Sequence, residues 1–138
     1  MTTLAYREGV LASDSRITAA ETVITNNQRK VHRLKDGRLF GYAGSVEDGH
    51  RLLTALRRNT KPPELEAISA LRIDPDGSVW LYEGNVWIKQ REAYYALGSG
   101  SNYALGAMDA GVSAKDAVRI GIKRDVSSGG RVQAVTLR

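Results

Sequence analysis

Thr2 stands directly behind Met1, so removal of Met1 would leave a hydroxyl and a free α-amino group on one residue, a nucleophile and a candidate base together. That signature is weak alone. It is followed by Asp14-Ser15-Arg16, Lys30, Ala43-Gly44-Ser45, Gly98-Ser99-Gly100 and the run Asp125-Val126-Ser127-Ser128-Gly129-Gly130. A carboxylate, an amine, small hydroxyls and glycines that expose backbone N–H groups are the parts acyl transfer needs. One group must take the hydroxyl proton and others must stabilise the developing oxyanion. Each also has a plainer meaning. Asp14 reads singly as a strand-end residue, Lys30 as a solvated charge, Ser99 as part of a tight turn, Ser45 as a helix cap, and Ser128-Gly129-Gly130 as a helix end leading into a strand.

The elements that would hold these residues are legible in outline. Thr3 to Tyr6 and Val10 to Ser13 are short apolar runs around Arg7-Glu8-Gly9, the pattern of a tight hairpin. Thr22 to Thr25 and Arg38 to Ala43 continue an opening β-sheet that includes Val31 and Leu34. Ser45, with Asp48 three residues on, predicts a capped helix start, and Val46, Gly49, Leu52, Leu53 and Leu56 supply its apolar stripe. Thr60-Lys61-Pro62-Pro63 ends that helix. Strands are then expected at Ile68 to Ile73, Val79 to Tyr82, Val86 to Lys89 and Tyr94 to Leu97. Asn102 to Ala110 and a segment capped by Ser113 predict two further helices, and Val132 to Leu137 a final strand. The order predicts an α+β fold of two packed sheets with helices outside, as a single domain over residues 1–138.

Composition narrows the function classes. The 138-residue chain has a formal charge of +5, but its basic residues are scattered over Arg29 to Lys35, Arg51 to Lys61 and Lys115 to Arg124. Dispersed charge of this kind marks solvated helix faces rather than a phosphate-binding stripe, so nucleic acid is not an expected partner. A basic nucleic-acid module remains as a third alternative, testable by salt-dependent binding. No cysteine is present and the histidines, His32 and His50, stand apart, so no metal or other cofactor is expected. No apolar run approaches a membrane span and no secretory signal opens the chain, which predicts a cytoplasmic protein.

Taken in order, Thr2-Thr3, Ala12-Ser13-Asp14-Ser15-Arg16 with Thr18, Lys30 sixteen positions after Asp14, Ala43-Gly44-Ser45 with Asp48, Gly98-Ser99-Gly100 and Asp125 to Gly130 resemble a proteasome β-subunit or its bacterial HslV-type relative. Those proteins are N-terminal threonine peptidases of the Ntn-hydrolase superfamily. The resemblance implies an αββα sandwich of two antiparallel sheets flanked by helices. It further implies that Thr2 is the nucleophile, Asp14 and Lys30 the charged pair beside it, and Gly44 the oxyanion N–H donor. Ser99, Asp125 and Ser128 would orient the amine and complete the hydrogen-bond network. Thr18 would pair with an extended substrate, and Tyr42 would border the pocket for the side chain before the scissile bond.

Two departures stand out. The hairpin from Thr2 to Asp14 is about four residues shorter than the family pattern, which preserves facing if each strand loses two. Between Leu56 and Ile68 there is no room for the second helix of the first layer, and no terminal helix follows Leu137, so a minimal version of the fold is expected. The implied activity is that of a self-compartmentalising threonine endopeptidase acting on unfolded polypeptide after Met1 removal. The implied partners are copies of the chain in a homo-oligomeric ring or stacked rings, and an ATP-dependent unfoldase. A catalytically silent scaffold of the same fold is the alternative, decided by whether Met1 is retained.

Overall fold

The computed structural model describes residues 1–138. In chain order the elements are β1 (Leu4–Arg7), β2 (Val10–Ser13), β3 (Ile17–Ala19), β4 (Thr22–Thr25), β5 (Val31–Arg33), β6 (Leu39–Gly44), α1 (Val46–Arg58), β7 (Ile68–Ile73), β8 (Val79–Glu83), β9 (Val86–Gln90), β10 (Tyr94–Leu97), α2 (Ser101–Asp109), α3 (Ala114–Arg124) and β11 (Gln133–Thr136). They form a four-stranded sheet in the order β10-β1-β2-β11, a five-stranded sheet β5-β6-β7-β8-β9, and a separate β3-β4 hairpin. Every pairing is antiparallel.

Burial explains the layering. Leu52, Leu53 and Leu56 of α1 pack on Phe40, Tyr42, Ala70 and Tyr82 of the five-stranded sheet. Between the sheets lie Leu4, Leu11, Val31, Leu39, Leu71 and Ile73. On the other side Ala5 and Ala12 face Ala104, Met108, Ala117 and Val118 of α2 and α3, small residues that let helix and sheet approach closely. Helix, sheet, sheet and helix pair thus stack as the expected αββα sandwich, with alternate residues of β1 and β2 feeding the two cores.

Local chemistry sets the boundaries. A two-residue turn at Glu8-Gly9, both at positive φ, joins Arg7 to Val10 across the first hairpin. Ser45 and Ser113 are N-caps, each accepting from the backbone N–H three residues on, Asp48 and Asp116. Helix α1 closes on Asn59 in the left-handed region, two residues earlier than the Pro62 stop signal requires. Residues 59–67 contain no helix, as expected. The hairpin strand β3 is an addition to the expected set; at three residues, Ile17-Thr18-Ala19, it is too short for its alternation to stand out.

One expected partnership is different. The Asp48 carboxylate does not return to the helix cap. It accepts from the N–H groups of Glu66 and Ala67 at 3.3 and 3.1 Å and from Arg51 at 3.1 Å. Asp48 therefore ties the start of α1 to the extended connection that replaces a second helix. Ala67 in turn accepts from Ser45 N–H at 2.8 Å, fastening the turn after Gly44.

Candidate active site

The residues singled out in the sequence converge where the opening of β1 meets the ends of β2 and α3. Thr2, Asp14, Lys30 and Ser128 are all buried, the side chains of Asp14 and Lys30 completely. Lys30 leaves the five-stranded sheet just before β5 and reaches across. Its Nζ donates to Asp14 Oδ1 at 2.9 Å, to Thr2 Oγ1 at 3.2 Å and to the Met1 carbonyl at 3.2 Å. Burial pushes the Lys30 amine below its ordinary pKa, opposed by the charge and hydrogen bond of Asp14.

Asp14 is saturated. Oδ1 also accepts from Thr3 N–H at 3.1 Å, while Oδ2 accepts from Gly129 N–H at 3.0 Å and Arg16 N–H at 3.3 Å. A carboxylate with this set of donors is held rigidly under Lys30 although no water reaches it.

The amine side is equally ordered. Ser99 Oγ accepts from Thr2 N–H at 3.1 Å and from the Met1 ammonium, and donates to Asp125 Oδ2 at 2.6 Å. Ser128 Oγ donates to the same Asp125 oxygen at 2.6 Å and lies 2.8 Å from Thr3 Oγ1. Burial opposes the ionised form of Asp125, but the hydrogen bonds of Ser128, Ser99 and Ser127 N–H, with the nearby N-terminal ammonium, hold its carboxyl below the usual value. That ammonium is itself lowered by burial, against the raising influence of Asp125. The flanking glycines make the approach possible: a Cβ on Gly98 would stand 2.2 Å from the Thr2 carbonyl oxygen, and one on Gly100 1.9 Å from Thr3 Oγ1. Thr3 is the member the sequence did not disclose.

Gly44, Tyr42 and Thr18 lie outside this hydrogen-bonded centre. Gly44 ends β6 at φ +120°, where a Cβ would meet the Ala67 carbonyl oxygen at 2.2 Å, so only glycine fits. It makes no side-chain-mediated bond to the centre. Tyr42 is joined to it through its backbone N–H, which donates to the Lys30 carbonyl at 3.3 Å. Its ring is buried at the base of an open cavity of about 520 Å³ bounded also by Gln28, His32 and Val46. Thr18, in β3, has its hydroxyl 3.6 Å from the Met1 sulfur. No group of His, Asp and Glu side chains is arranged to hold a metal ion.

The pattern of the family described as Proteasome subunit matches residues 3–74, more than half of the chain. The chain belongs to the proteasome family. Among the proteins similar to it is the ATP-dependent protease subunit HslV of Treponema denticola, 30% identical over 118 residues, covering 69% of this chain and 66% of that protein. The chain thus spans about two thirds of that relative's length. The ATP-dependent protease subunit HslV of Roseobacter denitrificans is 30% identical over 141 residues, covering 81% and 76%. Among solved structures, eukaryotic HslV from Trypanosoma brucei superposes with a TM-score of 0.77 at 22% identity over 98% of both chains. The Thiobacillus denitrificans BPH, also solved in complex with epoxomicin, does so at 0.70 and 20% over 99% of this chain and 98% of its own. At these identities the structural likenesses speak for the fold, an Ntn-hydrolase sandwich. No helix of the family member described here is long and apolar enough to cross a membrane.

Proposed function

We propose that, once Met1 is removed, the chain is an N-terminal threonine peptidase working as one domain over residues 1–138 in a homo-oligomeric ring or stacked rings. The observation that carries this is the contact of Lys30 Nζ with Thr2 Oγ1 at 3.2 Å while the same amine is held 2.9 Å from a fully buried Asp14. An amine so placed can lower the cost of ionising the threonine hydroxyl.

In the proposed cycle Thr2 Oγ1 attacks the carbonyl carbon of the scissile peptide bond. Its proton passes by way of Lys30 to the free Thr2 amine, which Ser99 and Asp125 orient, and then to the departing nitrogen. The C–N bond breaks, the C–O bond of an acyl-enzyme remains, and water, deprotonated by the same amine, hydrolyses that ester and restores Thr2. The Gly44 N–H is assigned to the oxyanion, a contribution typically worth about 10²- to 10³-fold in rate. Ser128 supports Asp125, Thr18 pairs with an extended substrate backbone, and Tyr42 bounds the pocket for the residue before the cleaved bond. The names of the HslV relatives, ATP-dependent protease subunits, support polypeptide as substrate and an ATP-dependent partner; that the partner is an unfoldase, the substrate unfolded and the setting cytoplasmic is part of the same proposal.

A scaffold without activity is favoured by one observation: with Met1 in place, the Met1 carbonyl takes a bond from Lys30 and the Met1 ammonium one from Ser99. Intact mass with epoxyketone labelling separates the two. The expected result is a Met-free protein labelled on Thr2, with no labelling in Thr2→Ala; a Met-free assembled protein that neither labels nor turns over overturns the peptidase proposal.

A further inference from the structure

The cavity over Tyr42 has a charge balance that the chemistry at Thr2 does not use. It adjoins the segment that carries the catalytic amine, because Gln28, Arg29 and His32 of its lining flank Lys30 in the chain and Tyr42 N–H is bonded to the Lys30 carbonyl. Its walls carry Arg29, Arg51 and Arg57 against a single unbonded carboxylate, Glu47. Arg51 is already committed to Asp48 at 3.1 Å. Arg29 and Arg57 have no carboxylate within ion-pairing distance and donate no side-chain hydrogen bond, although both face one cavity.

The half-buried His32 sits between them. Burial first, and then the charges of Arg57 and Arg29, push its pKa down to about 4. At neutral pH it is therefore an uncharged donor, and the positive field of the cavity comes from the guanidiniums. Arg57 at the end of α1 complements the helix dipole, which accounts for a cation there. It does not account for a second one, Arg29, brought from a different element to the same opening. Unpaired guanidiniums lining one cavity form a receptor for a planar carboxylate, which each can bind through parallel N–H groups.

Resting on the threonine-peptidase proposal, we infer that this pocket selects an acidic side chain, so that the chain cleaves after Glu or Asp. The cavity, about 520 Å³, has room for a glutamate side chain, and Arg29 and Arg57 belong to its lining. An arginine or lysine entering the same pocket meets like charge, and a leucine leaves both guanidiniums without a partner.

The test uses the Met-free assembled protein and matched fluorogenic peptides that differ only in Glu, Asp, Leu or Arg before the scissile bond, with epoxyketone labelling in parallel. Both cations are solvent-exposed, so the expected preference in kcat/KM is about tenfold for Glu over Leu, greater over Arg, and it narrows as salt rises. Arg57→Glu and Arg29→Glu should each invert the order of the Glu and Arg peptides, while Arg57→Ala should only level it. Cleavage with Leu or Arg equal to or above Glu overturns this inference and leaves the peptidase intact. Absence of both labelling and cleavage overturns the peptidase and the inference together.

Discussion

Two regions of this molecule bury polar chemistry, and they do so differently. Around Lys30 every polar partner is supplied from within: both oxygens of Asp14 are occupied, and Ser99, Ser128 and Thr3 close a network onto Asp125. On the outer face of the five-stranded sheet, where the chain is too short for a second helix, Arg72 instead stacks between Trp80 and Trp87 at 5.0 and 4.9 Å and pairs with Asp74 at 2.9 Å. There the indole N–H of Trp80 is buried without a partner. The contrast teaches that shortening has been absorbed by the outer layer, where exposed side chains and one carboxylate, Asp48, stand in for a helix. The centre tolerates no such substitution, because a single unpaired charge at zero exposure costs more than a missing surface contact.

The comparison can be broken most decisively at Thr2. Thr2→Ala is expected to lower peptide hydrolysis by on the order of 10⁴-fold or more while leaving the circular dichroism spectrum and melting transition in place, as for other nucleophile deletions. Next in size is Asp14→Ala, which strands the Lys30 ammonium; a loss of about 3–5 kcal/mol in urea unfolding is expected, and the double change Asp14→Leu with Lys30→Met should be milder than Asp14→Ala alone. If the double variant is no more stable than the single, the centre is not governed by charge pairing.

In the outer layer the effects should be smaller. Asp48→Ala orphans the N–H groups of Glu66 and Ala67 and is expected to cost about 1–3 kcal/mol by the same measurement. Asp48 also has a pH signature. Backbone bonds from Ala67 and then Glu66, with Arg51, outweigh burial and lower its pKa. Its contribution to stability is thus complete above the unfolded carboxylate value, near pH 4, and is lost as pH falls through the folded value. Asp48→Asn should flatten that acid limb of the unfolding midpoint. Smallest of all, Arg72→Ala should cost about 1 kcal/mol, the scale of a partly desolvated cation over aromatic rings.

Much of this architecture was legible because its signals are local. Ser45 and Ser113 announce helix starts, Arg7-Glu8-Gly9 announces a turn, and a short apolar run marks Ile68 to Ile73. The grouping of Thr2, Asp14, Lys30, Ser99, Asp125 and Ser128 was legible only through their order along the chain, since no periodicity relates residues that meet from five separate segments. What escaped was long-range and polar. Thr3 reads only as the first residue of a strand, yet its hydroxyl meets Ser128 at 2.8 Å from the far end of the sequence. Asp48 reads as half of a capping box, and only the course of residues 59–67 turns it into a clamp. Strand β3, only three residues long, was too short for its alternation to announce it.

The four-stranded sheet carries a consequence for the order of events during synthesis. Leu4 of β1 pairs with Leu97, and Val10 of β2 pairs with Thr136. The first hairpin can close early through its own turn, but it remains an unsupported ribbon until β10 and β11 flank it. Ser99, Asp125 and Ser128 arrive with those same late segments. On the proposed chemistry Thr2 is therefore inert on a nascent chain: the residue assigned as nucleophile, among the first to leave the ribosome, would be among the last to become competent.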